Sequence, residues 1–585
     1  MIITRFNIFC LAIALVAIRE SAPALAATEC DDYREGQLNL YWGDLHVHTA
    51  LSLDAYAFGT TADPGDAYAF ARGQELTLPD KSTRIKLQRP LDFASVTEHA
   101  ETFDVMYLCT DPNYLDLPYC SDLRNRAGTA AADSLYVFRN FLLPLISGIK
   151  PQTSPLCGEP GIDCKEASRL QWRRIQHYAN RANSPCDFTA FIGNEWSATP
   201  NNQHWHRNLI FAGTSVTADA IDYIRFPSPA KLWRELEKQC RPEQDCDVIA
   251  IPHNTNLSEG GGFDVESSSA SELQLRAKYE RLIEIHQSKG NSECLTENWD
   301  DRDSDCGFEK YIPSYITEQQ QAAPDFVATM NRSYARNILS RGLLAYTNSG
   351  DNRINPLQMG FIGSTDNHVA TPGAVDEDDW KGDAWGAGDR YRERRFKRMG
   401  YNPGGLVAVW AKQNTREHLF DSLKRREVYG TSGTRIKLRF AADTAADTDP
   451  CSAGYNWGQA TPMGATISGS RPLLDSPRFA ITASQDTVPL SQIQIVKGTV
   501  QDGTIVETVY PLYENRTELA HTCEIWSDPD YDASQPAYWY ARVFEIPTPR
   551  WSKTLCESLE NCQQVPGADQ MIQERAWSSP IWYLP

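Results

Sequence analysis

The sequence predicts an α/β fold, with a parallel β/α architecture followed by a smaller β-rich part. Between about residues 38 and 440, short apolar runs alternate with longer segments of helical or loop-like pattern. Each apolar run ends in a polar cluster rich in His, Asp, Glu, Asn or Gly. Strands that alternate with helices favour a parallel sheet, and α/β barrels place their chemistry at the ends of such strands.

The predicted strands of the first part are short and apolar, as buried strands are. Leu419, Phe420 and Leu423 give the segment that joins the two parts, 415–440, a short apolar helical face. The predicted strands are LNLYWGDLHV (38–47), LDFASVT (91–97), FTAFIG (188–193), CDVIAIP (246–252), RLIEI (281–285) and QMGFIGS (358–364).

The pattern changes after about residue 440, where strand-like runs occur with few helical signals. We therefore expect residues 441–585 to form a β-rich, sandwich-like domain packed on the part that spans residues 27–440. Its predicted strands are RFAITASQ (478–485), LSQIQIVKGT (490–499), TIVETVYPLY (504–513), YWYARVFEI (538–546) and SSPIWYL (578–584).

The first residues have the pattern of an export signal. Arg5 precedes the apolar run 8–18, which is too short to span a bilayer, and the small residues of 24–26 fit a signal-peptidase site. We predict that residues 1–26 are a cleaved signal peptide, which gives a periplasmic or secreted protein with no membrane anchor after cleavage.

Cysteine usage agrees with export. Of 15 cysteines, Cys10 lies in the predicted signal, so an even number remains, and no C-x-x-C pair suggests a thiolate zinc site. This usage favours structural disulfides in an oxidising compartment, although connectivity cannot be read from sequence. Several cysteines are close neighbours: Cys109 and Cys120, Cys157 and Cys164, Cys240 and Cys246, Cys294 and Cys306, and Cys556 and Cys562.

The formal net charge of −20 disfavours binding to nucleic acid or to an anionic membrane surface. It does not exclude a small anionic substrate, because bound cations can reverse the sign of the local charge.

Histidines and acidic residues recur at the ends of the apolar runs. The stretch GDLHVHTALSLDA (43–55) holds His46 and His48, which project to the same side of an extended chain, and Asp54 follows. Two adjacent imidazoles suit a divalent cation, whereas the simpler interpretation is a hydrogen-bonded pair of core histidines. The same types of residue follow later runs: Glu98 and His99, Glu195, His206, His253, and Asp366 with His368.

This ordered set resembles the PHP superfamily, named for its polymerase-associated and histidinol-phosphatase members. Longer stretches are similar to a secreted-type branch that is classed as a domain of unknown function. They include HRNLIF (206–211), IPHNTNLSEGGGF (251–263), GFIGSTDNHVATPG (360–373), GGLVAVWA (404–411), REVYGTSGTRI (426–436) and RAWSSPIWYLP (575–585). The resemblance implies a distorted (β/α)7 TIM-like barrel that holds metal ions at the C-terminal ends of its strands.

Carried over residue by residue, the resemblance implies three metal sites. His46, His48, Glu195 and Asp366 hold the first, and Glu195 bridges to a second that is completed by His206 and His253. Asp54, His99 and His368 hold the third. Many PHP members have a histidine at the position of Asp54 and an aspartate at that of Glu98, so the simpler role of Asp54, a turn residue, stays open.

The implied catalytic residues are Glu98, Glu195 and Asp366, with Glu98 supporting a ligand histidine or the attacking water. His204 lies in a second His-x-His and could replace His206 as ligand, but the resemblance favours His204 as a cleft residue. Other candidate substrate-binding residues are Arg207, His286 and Arg435, and a salt bridge is the simpler role of each arginine. Glu284 is expected to be a structural partner.

The sequence therefore predicts an exported metal-dependent hydrolase with two or three divalent cations, Zn, Mn or Fe. A hydroxide that bridges the cations would attack a small anionic ester, most favourably a phosphoester. The alternatives are an amide, lactone or sulfate-ester hydrolase at the same site, or a non-catalytic protein that binds metal or carbohydrate.

Overall fold

The computed structural model describes residues 30–585 apart from 32–33, 35, 296–302, 313–315, 317, 322, 324, 351–352, 385, 444–448, 453–454, 468–474, 515 and 560–561. The predicted signal peptide, residues 1–26, lies outside the described residues.

The described chain is a mixed α/β structure. Its helices are α1 (Leu53–Ala57), α2 (Pro64–Ala71), α3 (Phe103–Thr110), α4 (Pro118–Arg126), α5 (Ala131–Val137), α6 (Leu143–Ile146), α7 (Cys164–Ala182), α8 (Pro229–Gln239), α9 (Ala270–Tyr279), α10 (Glu318–Gln321), α11 (Phe326–Asn331), α12 (Ala335–Asn348), α13 (Arg392–Phe396), α14 (Arg416–Arg425) and α15 (Trp551–Cys556).

The strands of the first part are β1 (Asn39–Asp44), β2 (Leu76–Thr77), β3 (Arg84–Ile85), β4 (Phe93–Val96), β5 (Thr189–Trp196), β6 (Arg207–Phe211), β7 (Val248–Pro252), β8 (Leu282–Gln287), β9 (Gly290–Asn291), β10 (Gly360–Gly363), β11 (Leu406–Ala411), β12 (Val428–Thr431) and β13 (Lys437–Asp443). Those that follow are β14 (Thr461–Pro462), β15 (Thr466–Ile467), β16 (Arg478–Ser484), β17 (Leu490–Gln501), β18 (Thr504–Tyr513), β19 (His521–Ser527), β20 (Ala537–Glu545), β21 (Thr548–Pro549), β22 (Met571–Ile572), β23 (Arg575–Ser578) and β24 (Ile581–Tyr583).

The parallel β/α arrangement predicted for the first part is present in β1, β4 and β5. These strands pair in parallel, and helices fill the connections between them. The longest connecting helix, α7, is capped at its N-terminus by Asp163, whose side chain accepts a hydrogen bond from the Glu166 N–H at 3.0 Å. Its buried residues include Trp172, Ile175 and Ala179, spaced three and four residues apart, so one apolar stripe packs on the sheet.

A closed barrel is not shown by the described strands. The main sheet runs in the order β15-β24-β20-β23-β12-β11-β1-β4-β5-β6-β7, and β8, β9 and β10 form a separate sheet. The strand β6 lies antiparallel between β5 and β7. The segment 197–206 between β5 and β6 is shorter than the dozen or more residues that a parallel crossover requires, so the chain turns directly back.

Strands from both sides of residue 440 share this main sheet, since β23 pairs with β12 and with β20. A second sheet, β14-β13-β16-β19, combines β13, which crosses residue 440, with three strands of the later part of the chain. The domain boundary at residue 440 stays a prediction. The apolar helical face predicted for the joining segment is confirmed, because Leu419, Phe420 and Leu423 are buried in α14.

Seven disulfides cross-link the described chain, and five of them join the neighbouring cysteines named above. The other two join Cys30 to Cys186 and Cys451 to Cys523. This number of disulfides indicates a protein that folds outside the reducing cytoplasm. In the described part of the chain, every helix is too short or too polar to cross a bilayer.

A cavity of about 350 Å³ lies where the two parts of the chain meet, and carboxylates line much of it. Glu545, on β20, is buried. Its Oε1 accepts a hydrogen bond from the Asp486 N–H at 2.7 Å, and its Oε2 accepts one from Thr434 Oγ1 at 2.9 Å. Burial, helped by the charge of Asp486 and opposed by these hydrogen bonds, raises the pKa of Glu545 to about 7.

We expect Glu545→Gln to stabilise the fold above pH 7. An unfolded glutamate ionises near pH 4.3, so wild-type stability falls as the pH rises from there to about 7, where folded Glu545 loses its proton. Glutamine accepts from the Asp486 N–H through its Oε1 and donates from its Nε2 to Thr434 Oγ1. Because it does not titrate, it removes this loss, which is on the order of 3 to 4 kcal/mol for a pKa that moves from about 4.3 to about 7. Urea unfolding from pH 5 to 8 measures the difference, and parallel pH profiles for the two proteins would contradict the prediction.

Candidate metal centre

The nine side chains predicted as metal ligands converge in one buried cluster, and each is at most 6% exposed. The ends of β1, β4, β5, β7 and β10 lie at one edge, which brings together the residues that follow them. Because β6 is antiparallel, its beginning lies at this same edge. The cluster consists of His46, His48, Asp54, His99, Glu195, His206, His253, Asp366 and His368.

A first group of four donor atoms has the spacing of a metal site. His46 Nε2 lies 3.2 Å from His48 Nε2 and 3.3 Å from both Glu195 Oε2 and Asp366 Oδ1. His48 Nε2 lies 3.2 Å from Glu195 Oε2 and 3.4 Å from Asp366 Oδ1. These five distances match the spacing of neighbouring ligand atoms around a tetrahedral cation, which lies about 2.0 Å from each N or O donor. The residues therefore fit a divalent cation.

A second group forms around the other oxygen of Glu195. Glu195 Oε1 lies 2.7 Å from His206 Nδ1 and 3.4 Å from His253 Nε2. The buried ring of His253 makes no hydrogen bond through either nitrogen. A buried imidazole without a hydrogen bond needs a further partner, and a metal ion bound between His253 and Glu195 could supply it. His206 faces Glu195 directly, whereas His204 stacks on the ring of His206, with 4.8 Å between the ring centroids.

A third group surrounds Asp54, which lies in the first turn of α1. Its Oδ2 is 3.0 Å from His99 Nε2 and 3.0 Å from His368 Nε2. The rings of His99 and His368 both stack against the ring of His48, with 4.4 and 4.3 Å between ring centroids. The carboxylate of Asp54 therefore points at two imidazoles instead of only closing a turn.

Residues behind the cluster orient its histidines. Glu284 accepts a hydrogen bond from His46 Nδ1, with oxygens 3.1 and 3.2 Å away, so Nε2 is free to act as a ligand. Ser52 Oγ lies 2.9 Å from His48 Nδ1 and donates to Glu98 Oε2 at 2.5 Å. Glu98 thus reaches the cluster through Ser52, which makes it a positioning residue for His48 in this structure.

Three residues beside the cluster were not found from the sequence. The Oδ1 of Asp44 accepts from the N–H groups of His46 and Thr365, at 3.2 and 3.1 Å, which fixes the two ligand-bearing segments together. Gln287 Nε2 donates to Asp366 Oδ2 at 2.9 Å, and Lys289 Nζ contacts the same oxygen. Of the three, only Lys289 had a sequence signal, because it is a basic residue four positions after the end of the predicted strand 281–285.

Charges of opposite sign balance one another in the cluster. Burial lowers the pKa of His46, but Asp366 and Glu284 outweigh it and raise that pKa well above its ordinary value. Burial raises the pKa of Asp54, but His99 and His368 bring it well below its ordinary value. A cation that binds here would take the place of protons on these histidines.

The remaining predicted substrate-binding residues lie elsewhere or are already engaged. The buried Arg207 donates to Glu280 Oε1 at 2.9 Å and to the carbonyl of Gly262 at 3.0 Å. His286 packs against the rings of Phe308 and Trp577.

Arg435 lines the acidic cavity at the junction of the two parts of the chain. Its Nη2 donates to the carbonyl of Arg89 at 2.6 Å, and its backbone N–H donates to Asp486 at 2.8 Å. Substrate binding by Arg207, His286 and Arg435 stays a prediction.

Comparison with known families gives a match over almost the whole described chain. The family described as a protein of unknown function, DUF3604, matches residues 35–513 and 512–585. The chain belongs to this DUF3604 family. The match includes every residue of the cluster, but the family description assigns no activity.

Two individual proteins are similar to the chain at a lower level. An uncharacterized protein of Chlamydia pneumoniae is 22% identical over 420 residues, which cover 70% of this chain and 49% of that protein. The match thus spans about half the length of that relative. A crystal structure of a two-domain protein from Bacteroides vulgatus, containing a predicted PHP-like metal-dependent phosphoesterase, aligns with a TM-score of 0.31 and 10% identity. The alignment covers 88% of this chain and 94% of the Bacteroides vulgatus chain.

Proposed function

We propose that the chain is a metal-dependent hydrolase that acts on a small anionic ester, most favourably a phosphoester. The observation that carries the proposal is Glu195, whose two oxygens belong to two different groups of imidazoles, at 3.2 and 3.3 Å on one side and 2.7 and 3.4 Å on the other. A carboxylate placed in this way suits a bridge between two cations, and such pairs are typical of phosphoester hydrolysis.

Two or three divalent cations, Zn, Mn or Fe, would be held by the three groups of the cluster. When bound, they would lower the pKa of a water molecule and polarise the ester. The chain itself contributes orientation: Glu284 and Ser52 hold the Nδ1 side of His46 and His48, so that both Nε2 atoms face the same point. Asp44 keeps the segments that carry His46 and Asp366 in register.

Charge favours an anionic substrate. Asp54, Glu195 and Asp366 bring three negative charges to the cluster, whereas two or three divalent cations bring four to six positive ones. The ligand set with its cations would therefore carry a net positive charge in a protein whose net charge is −20. A positive site in a negative surface draws small anions inward and repels nucleic acid.

The proposal includes the finer predictions on architecture and location. Residues 27–440 would form a catalytic unit related to the (β/α)7 barrel, with residues 441–585 packed on it. Residues 1–26 would direct export to the periplasm or the medium, which agrees with the seven disulfides.

We expect the purified chain, loaded with Mn²⁺ or Zn²⁺, to hold two or three ions and to hydrolyse a phosphomonoester or phosphodiester. A chelator should remove both metal and activity, and added metal should restore them. Elemental analysis and a panel of phosphate esters, sulfate esters, amides and lactones give the measurement. Hydrolysis of the other classes alone would overturn the phosphoester assignment. If the metal-loaded protein hydrolyses no substrate of any class, the proposal that the chain is a hydrolase is wrong.

A further inference from the structure

Lys289 places its ammonium group on the cluster, although no sequence motif singled it out. Its Nζ contacts Asp366 Oδ2, the carboxylate oxygen that does not face His46 and His48. The Lys289 side chain is 19% exposed, whereas that of Asp366 is 2% exposed. Lys289 is therefore the more accessible partner of this contact, and its side chain leads from the accessible turn to the buried donors.

A tight hairpin fixes Lys289 in this place. Strands β8 and β9 pair through Gln287 and Gly290, so Ser288 and Lys289 form the tip. Gln287 Oε1 accepts from the Lys289 N–H, and Gln287 Nε2 donates to Asp366 Oδ2 at 2.9 Å. Gly290 has a φ of +103°, and a Cβ there would lie 2.8 Å from the carbonyl oxygen of Glu309. A side chain does not fit at Gly290 unless the backbone at Glu309 shifts.

The charge on Lys289 gains a new role when the cluster is filled. Without cations, the ammonium group compensates Asp366. With cations bound, the charge of Asp366 is taken up by them, and the hairpin still holds the ammonium beside the site. Lysine binds phosphate and similar oxyanions as a compact point charge with three donors.

We propose that Lys289 binds an oxygen of the substrate's anionic group and so makes the metal-loaded centre an oxyanion site. This inference rests on the proposed function, because that function supplies the anionic ester as substrate. The binding of an oxyanion does not itself require turnover. The ligand class is a tetrahedral oxyanion, and inorganic phosphate is its simplest member.

The test measures phosphate binding to the Mn²⁺-loaded protein by calorimetry, with the metal content of each variant determined in parallel. We expect Lys289→Met to keep its metal and to weaken phosphate binding at least tenfold. Lys289→Arg, which keeps the charge, should stay within about threefold of the wild type. Lys424→Met is the matched control, because Lys424 is also paired with an aspartate, Asp247, but lies on α14.

Phosphate binding by Lys289→Met that stays within twofold of the wild type would overturn the inference. Loss of metal from this variant would also overturn it, because Lys289 would then only compensate Asp366. The inference would also be wrong if the wild-type protein took up metal but bound no phosphate. If the wild type binds phosphate through Lys289 but hydrolyses no ester, the proposed function fails and the oxyanion site stands.

Discussion

Replacing Glu195 by glutamine is expected to remove at least one metal ion per chain and to lower hydrolysis at least a thousandfold. Glu195 is fully buried on β5, and both of its oxygens face imidazole nitrogens. Burial raises its pKa, but His99, His253 and His206 outweigh this and hold the pKa well below its ordinary value, so the group is a carboxylate. Glutamine removes that charge and presents an amide nitrogen that has no lone pair for a metal.

The energetic reason is repulsion between cations. Two divalent charges about 4 Å apart repel by about 4 kcal/mol even at the dielectric constant of water, and by more in a buried site. A bridging carboxylate offsets this repulsion, whereas an amide does not. Metal content by elemental analysis and the rate of ester hydrolysis give the two measurements.

The matched control for this variant is Glu545→Gln, which makes the same change at another buried glutamate, in the acidic cavity between the two parts of the chain. It should keep full metal content and full activity. Thermal unfolding of both variants distinguishes loss of metal from loss of fold. If Glu195→Gln keeps its full complement of metal and its rate, the bridging role of Glu195 is wrong.

Much of the secondary structure could be predicted because its signals are local. Each apolar run predicted as a strand corresponds to a strand, since length and burial pattern are properties of a few neighbouring residues. The direction of β6 and the pairing of β23 with β12 could not be predicted in this way. These features depend on which distant segments meet, and the change of pattern at residue 440 does not show that one sheet continues across it.

The disulfides also divide into those with a local signal in the sequence and those that depend on distant segments. Neighbouring cysteines such as Cys240 and Cys246 suggested disulfides in short loops, which close easily, although the sequence did not give the connectivity. The bridge from Cys30 to Cys186 spans 156 residues, and no local pattern points to it.

The cluster itself was predicted because its members are unusual residue types that follow apolar runs in a fixed order. The residues that support it carry no such pattern. Asp44 is one aspartate among many, and the hydrogen bond that it accepts from the Thr365 N–H depends on a contact across 321 residues. Arg207 adjoins a predicted ligand, but its ion pair with Glu280 turns it away from the cluster, which only the fold reveals.

We expect Asp54→Asn to remove one metal ion per chain and to lower hydrolysis about a hundredfold without abolishing it. Asp54 Oδ2 lies 3.0 Å from both His99 Nε2 and His368 Nε2, and it is the carboxylate of the third group. Asparagine keeps the shape, and its side-chain oxygen can still accept from the Ala55 N–H, as Asp54 Oδ1 does at 2.8 Å. The negative charge that attracts a cation is lost, so affinity at this group should fall steeply.

Activity should persist in this variant because the other two groups keep their donors. His46, His48 and Asp366 do not contact the substituted oxygen, and Glu195 still faces His206 and His253. Asp63→Asn serves as the control, because Asp63 also lies at the start of a helix, where its side chain caps α2. Asparagine caps helices nearly as well, so this control should change neither metal content nor rate. If Asp54→Asn behaves like Asp63→Asn, Asp54 is a turn residue and the centre holds two metals instead of three.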